Sequence, residues 1–140
     1  MSGFGLRFHH LGLAVRNPEK AIRFLRGLGY SIGESVFDTV QNVNLIMCAH
    51  DSMPAVEVIS PGSTSGPVDN LVNRFSSGIV YHTCYITDSL EASVAAIRQA
   101  GLRVTPMSKT QSAVLFGGKP VSFHVISGMG LVEIIENADP

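Results

Sequence analysis

The sequence has no tryptophan, only two cysteines, and charged side chains at just 15% of its 140 positions. Its apolar runs stay below the roughly 18 residues of a membrane-spanning helix. The N-terminal MSGFGLRFHH lacks the apolar core of a signal peptide, so we expect a cytoplasmic protein whose Cys48 and Cys84 stay reduced. Lysine and arginine are scattered and the formal net charge is −1, which argues against a nucleic-acid or membrane surface.

Apolar residues, in contrast, are plentiful. They make up 45% of the chain, and the mean hydropathy is +0.26. A chain of this length and composition can bury about two-thirds of its unfolded surface. Intrinsic disorder is therefore excluded, since it requires low hydrophobicity and high net charge.

The chain contains an internal repeat at an offset of 72 residues, counted from His10 to His82. HLGLAVRNPEKAIRFLRGLGY aligns without a gap on HTCYITDSLEASVAAIRQAGL. Each copy is predicted to contain a strand, a short polar break, an amphipathic helix and a glycine that ends the helix. Asn17-Pro18 predicts the start of the first helix and Ser89 that of the second. Self-similarity on this scale predicts two copies of one supersecondary unit.

Three strand-like runs follow each predicted helix, so each half is predicted to be β-α-β-β-β in an α+β domain with curved mixed sheets. The six runs are Tyr30–Val36, Val43–Cys48, Ala55–Ser60, Arg103–Thr105, Ala113–Phe116 continued by Val121–Ile126 beyond the Gly117-Gly118 turn, and Gly130–Glu136. We expect one domain over 1–140, with modules at 8–60 and 78–137. The linker 61–77 is rich in Gly, Ser and Pro and has room for a short helix near Val68–Phe75.

Four polar residues stand in otherwise apolar strands: His10, Glu57, His82 and Glu133. A lone strand histidine is usually a hydrogen-bonded core residue, and a lone strand glutamate usually faces solvent. Here each repeat carries one of each, at its first and last strand. A buried glutamate needs a partner, and a divalent metal ion accepts both carboxylate and imidazole ligands. Pairing of the two halves would bring all four side chains to one metal site.

The strands HHLGLAV, VEVISP, YHTCYIT and LVEIIE resemble the ligand strands of the vicinal oxygen chelate superfamily, which includes glyoxalases, bleomycin resistance proteins and dioxygenases. The resemblance covers Phe8–Glu136 and implies paired βαβββ modules that form a metal-binding cleft in a curved mixed sheet. GPVDNLV, HTCYITDSLEASVAAIRQAG and FGGKPVSFHV are similar to the methylmalonyl-CoA epimerase branch.

That resemblance implies a divalent-metal-dependent isomerase that removes a proton next to a carbonyl and stabilises the enolate. The metal is Co, Ni, Mn or Zn, acting as a Lewis acid. The resemblance assigns the base to Glu133, with Glu57 as the second choice. The partner is a small molecule, an acyl-CoA or a thiol adduct, and chains of this size in the superfamily are often homodimers. Gln41, Lys119 and His124 are candidate substrate-binding residues.

Two departures from the epimerase pattern keep other functions open. Epimerases commonly have glutamine at the second ligand position, whereas Glu57 gives the ligand set of lactoylglutathione lyase. They also carry a glutamate base just before the third strand, where FDTVQNVNL offers only Asp38 and Gln41. The alternatives are a glyoxalase I-like lyase and a metal-free ligand-binding or resistance protein. Of the remaining histidines, His9 is predicted to face away from His10, and His50 to be a turn residue.

Overall fold

The computed structural model describes residues 2–138, which contain three α-helices and nine β-strands. Their order along the chain is β1 (Arg7–Ala14), α1 (Pro18–Gly27), β2 (Ser31–Asp38), β3 (Val43–Ala49), β4 (Val56–Pro61), α2 (Pro67–Arg74), β5 (Ile79–Thr87), α3 (Leu90–Gln99), β6 (Val104–Pro106), β7 (Gln111–Ser112), β8 (Pro120–Ile126) and β9 (Gly130–Glu136). No helix among the described residues is long and apolar enough to cross a bilayer.

The chain divides into two compact units. The first is His10–Tyr81, and the second joins Met1–His9 to His82–Pro140. In the first unit the strand order is β2-β3-β4-β1, with β4 and β1 parallel and the other neighbours antiparallel. In the second it is β5-β9-β8-β6, with β5 and β9 parallel and the other neighbours antiparallel. The predicted α+β class with mixed sheets is confirmed.

The two long helices begin where the sequence predicts. The Asn17 side chain accepts a hydrogen bond from the Glu19 amide at 3.0 Å, and Pro18 occupies the first helical turn of α1. The Ser89 hydroxyl accepts one from the Ala92 amide at 3.2 Å at the start of α3. Such caps satisfy amides that have no partner within the helix.

Each unit has its own apolar core between a helix and a sheet. That of the first unit is built from Val15, Leu25, Tyr30, Cys48, Val56 and Val58. That of the second is built from Ile97, Val104, Ile126, Val132 and Ile134. In both, alternation along the strands turns one set of side chains to the helix and the other to the opposite face of the sheet.

Two segments differ from a plain repeat of strands. The linker contains α2, which starts at Pro67, and the Asp69 carboxylate accepts a hydrogen bond from the Gly66 amide at 2.6 Å.

The prediction of a strand over Ala113–Phe116 was wrong. The strand there, β7, ends at Ser112, because the Phe116 amide bonds back to the Ala113 carbonyl at 3.1 Å and closes a 3-10 turn over Val114–Phe116.

Candidate metal centre

In the first unit, His10 and Glu57 face one another across two parallel strands. The register of β1 and β4 pairs Gly12 with Glu57, and His10 shares the face of Gly12 because strand side chains alternate. His10 is fully buried and Glu57 is 4% exposed. Nε2 of His10 lies 3.5 Å from Oε1 of Glu57.

The second unit repeats this arrangement with His82 and Glu133. The register of β5 and β9 pairs Cys84 with Glu133, so the histidine again stands two residues before the strand partner of the glutamate. His82 is 3% and Glu133 4% exposed, and Nε2 of His82 lies 3.4 Å from Oε1 of Glu133. The Phe123 ring meets the His82 ring edge-on at 5.3 Å and helps to fix its orientation.

The distances within the two pairs, 3.5 and 3.4 Å, are longer than a direct ionic hydrogen bond and lie near the upper end of the spacing between two ligands of one cation. A charge-assisted N–H···O bond usually spans about 2.7–2.9 Å. Two donor atoms that each lie about 2.1 Å from a metal are instead about 3.0–3.4 Å apart, depending on the coordination geometry. Imidazole nitrogen and carboxylate oxygen are also the donors that Zn, Ni, Co and Mn accept. Each unit therefore offers two suitable metal ligands.

The carboxylate of Asp38 holds the turn that follows β2. It accepts hydrogen bonds from the Val40 amide at 2.9 Å, the Gln41 amide at 3.1 Å and the Gln41 side-chain Nε2 at 3.1 Å. Asp38 is 5% exposed. Of the residues that the sequence offered in place of the missing glutamate, Asp38 is thus a structural acceptor and Gln41 is anchored to it.

Lys119 is tied to the end of the last strand. Its Nζ donates to Oδ1 of Asn137 at 2.9 Å, and Nδ2 of Asn137 lies 3.5 Å from Oδ1 of Asp88. The Arg7 guanidinium donates to Asp88 at 3.2 Å. Hydrogen bonds from Arg7 and Asn137, and the charge of Arg7, hold the pKa of the Asp88 carboxyl below its usual value.

His124 lies on the opposite face of its sheet from Glu133. The register of β8 and β9 pairs Phe123 with Glu133 and His124 with Val132, so neighbouring positions point to opposite faces. Nε2 of His124 is 2.9 Å from the Ser122 hydroxyl, and the side chain is 5% exposed on the helix-covered face. Burial, followed by the nearby charge of Arg98, lowers the pKa of His124.

The buried Ser122–His124 pair was not predicted from the sequence. Its signal was two polar residues spaced two apart on one face of a strand, but the sequence does not show which face the helix covers.

The two histidines that the sequence did not favour as ligands make the following contacts. The His9 ring meets Phe116 edge-on at 5.0 Å. His50 is a turn residue, as predicted: its Nδ1 accepts from the amides of Ser52 and Met53 at 3.0 and 3.2 Å, and its Nε2 lies 3.1 Å from the Leu28 carbonyl.

Comparisons with known proteins agree with the resemblance seen in the sequence. The chain is 25% identical over 118 residues to the ethylmalonyl-CoA/methylmalonyl-CoA epimerase of Cereibacter sphaeroides, and the alignment covers 84% of this chain and 86% of that protein. The methylmalonyl-CoA epimerase of Mycobacterium tuberculosis has the same fold, with a TM-score of 0.73, 18% identity, and coverage of 96% and 88%.

A hypothetical protein from Bacillus halodurans C-125 also shares the fold, with a TM-score of 0.78, 17% identity and 96% coverage of both chains. Residues 9–123, most of the sequence, match the profile of a single family. The chain therefore belongs to the glyoxalase/bleomycin resistance protein/dioxygenase superfamily.

Proposed function

We propose that this protein is a divalent-metal-dependent isomerase that removes and returns a proton next to the carbonyl of an acyl-CoA, as a methylmalonyl-CoA epimerase does. The observation that carries the proposal is the occurrence of two equivalent buried His–Glu pairs, one in each unit. The names of its relatives support the substrate class, since ethylmalonyl-CoA and methylmalonyl-CoA appear in them.

The proposed ligands of one metal ion are His10, Glu57, His82 and Glu133. Their burial supports this, because a carboxylate removed from water needs a compensating positive charge. The equivalent strand registers support it further, since one supersecondary unit presents its two donors twice. A bound Co, Ni, Mn or Zn ion supplies Lewis acidity that draws negative charge onto the carbonyl oxygen of the substrate.

Glu133 is the proposed base. Its carboxylate takes the proton from the carbon next to the carbonyl and returns it, and Glu57 is the second candidate for this role. Glu133 is 4% exposed, and its neighbours along β9, Val132 and Ile134, are each 1% exposed, so this part of the strand has little contact with water. The order of preference between the two glutamates comes from the resemblance to the epimerases.

A second base is the part of the epimerase pattern that this chain does not reproduce. The side-chain amide of Gln41 does not accept a proton near neutral pH, and the Asp38 carboxylate already accepts three N–H groups. With one base, the proton returns to the side of the carbon that it left, and inversion requires the enolate to reorient before the proton returns. We therefore expect isotope exchange to be faster than inversion of the stereocentre.

The test is proton exchange from methylmalonyl-CoA in D₂O by metal-loaded protein, followed by mass spectrometry, with chiral analysis of the product. We expect deuterium incorporation that disappears when the metal is removed by a chelator and returns when Co or Ni is added. Metal-loaded protein that leaves the α-proton in place would exclude the isomerase function.

A glyoxalase I-like lyase is the second candidate, and the carboxylate of Glu57 at the second ligand position favours it. Its test is the formation of S-lactoylglutathione from the adduct of methylglyoxal and glutathione. Metal analysis of the purified protein separates both enzymes from a metal-free binding protein. A homodimer and a cytoplasmic location stay predictions, to be tested by light scattering and by cell fractionation.

A further inference from the structure

A groove of about 630 Å³ lies in the first unit, where β1 leads into α1. Leu13, Val15 and Ala21 supply its less exposed lining, and Ser76 and Ser77 form part of its wall. Side chains alternate between the two faces of a strand, so Leu13 and Val15 point to the opposite side of the chain from His10. The groove is thus distinct from the His10–Glu57 pair.

The groove concentrates positive charge in a chain whose net charge is −1. Arg16, Lys20 and Arg23 line it, and Glu19 is the one acidic residue in its lining. Glu19 lies 3.4 Å from Arg23 in an exposed pair, which is a weak interaction. Arg16 donates to the neutral side chain of Asn73, which leaves its charge uncompensated. Among residues 2–138, Lys20 makes no ion pair.

An aromatic ring lies beside these cations. Phe24 lines the groove and is 68% exposed, the largest exposed fraction among the large apolar side chains of the described residues. It stands four residues after Lys20 on α1, so the two side chains are neighbours on the helix surface. An exposed flat ring is a surface on which a planar aromatic ligand can stack.

The opposite wall is held close to β1 by a tight turn. The Gly78 amide donates to the Phe75 carbonyl at 2.9 Å, which places Ser76 and Ser77 at the tip of the turn. Gly78 has a φ of +94°, and a Cβ atom there would lie 3.0 Å from Cγ1 of Val15. Glycine therefore lets this turn pack against the end of β1, and the wall is formed before any ligand binds.

We propose that this groove binds a nucleoside phosphate. Arg16, Lys20 and Arg23 provide the charge for the phosphate groups, and guanidinium groups match phosphate oxygens in a bidentate geometry. The Phe24 ring stacks on the base, and the serine hydroxyls donate to the sugar or the phosphate. The ligand is either a free nucleotide or the nucleotide end of coenzyme A. The proposal does not depend on the metal site, since the groove lies on the other face of β1.

The test is calorimetric titration of the full chain with ADP, pyrophosphate and coenzyme A. The Lys20→Gln/Arg23→Gln variant is expected to weaken ADP binding by about tenfold or more, because two charge-assisted contacts are lost. Arg26→Gln is the matched control, since it removes a cation from the same helix outside the groove and is expected to leave binding unchanged. Phe24→Leu is expected to weaken ADP binding while leaving pyrophosphate binding unchanged.

Competition then identifies the source of the nucleotide. If ADP and coenzyme A displace one another and respond alike to the variants, the groove serves the coenzyme. If ADP binds and coenzyme A does not displace it, a free nucleotide is the ligand. The absence of ADP binding up to about 1 mM, or equal affinity in the double variant and in Arg26→Gln, overturns the proposal. Neither result bears on metal binding or proton exchange, which are measured separately.

Discussion

Nε2 of His82 lies 3.4 Å from Oε1 of Glu133, and both side chains are almost completely buried. The pairing arises from two adjacent parallel strands and from a histidine that stands two residues before the register partner of the glutamate. The same relationship recurs in the first unit. Because burial of a carboxylate is costly without compensation, this arrangement has direct consequences for metal binding and stability.

Replacement of His82 by alanine is expected to lower metal occupancy by about tenfold or more, since one proposed ligand is lost. The midpoint of thermal unfolding should also fall, because Glu133 then stays buried without its imidazole partner. Occupancy is measured by elemental analysis after dialysis. His50→Ala, which removes a turn histidine outside the pairs, should keep its metal; full occupancy in His82→Ala would remove His82 from the ligand set.

Replacement of Glu133 by glutamine tests the base. The amide keeps an oxygen donor and a similar volume but accepts no proton, so isotope exchange is expected to fall about 100-fold or more with metal retained. Glu57→Gln is the matched control, because it makes the same change in the equivalent pair. The assay is deuterium incorporation into methylmalonyl-CoA. If Glu57→Gln loses the exchange and Glu133→Gln keeps it, the two roles are reversed.

Replacement of Asp38 by alanine is expected to reduce the free energy of unfolding by about 1–3 kcal/mol, because three N–H groups of the turn lose the hydrogen bonds that its carboxylate accepts. Those donors are the amides of Val40 and Gln41 and the Gln41 side chain. Urea unfolding measures the change. Asp51→Ala alters an exposed aspartate in another turn and should have little effect. Equal stability of the two variants would show that Asp38 does not hold the turn.

The stability of the protein should decrease as the pH falls below about 6.5, the ordinary pKa of histidine. Burial lowers the pKa of folded His124, so in this range the unfolded chain binds a proton that the folded chain does not. Stability therefore rises with pH through this window and is lost toward acid. Urea unfolding at pH 5.5 and 7.5 is the measurement. His124→Gln should show a smaller difference between the two pH values, and an unchanged difference would exclude His124 as a source.

The sequence by itself determined the repeated βαβββ pattern and the starts of the long helices at Asn17 and Ser89, since periodicity and capping are local properties. It also singled out the histidine and the glutamate of each repeat, because a charged residue in an apolar strand is visible without a structure. It did not determine the loop after Ser112, where hydrogen bonds between Ala113, Gly118 and Lys119 close a turn in place of the predicted strand.

Only the tertiary structure decided which residues face one another. The pairing of His10 with Glu57 depends on the register of two strands far apart in the sequence. The face of His124 depends in the same way on the register of β8 with β9, and a shift of one residue would have turned it toward the side of Glu133. The contact of Asp38 with the Gln41 side chain depends on the path of a turn. The first two are matters of packing between segments and the third is a matter of turn geometry, and local periodicity specifies neither.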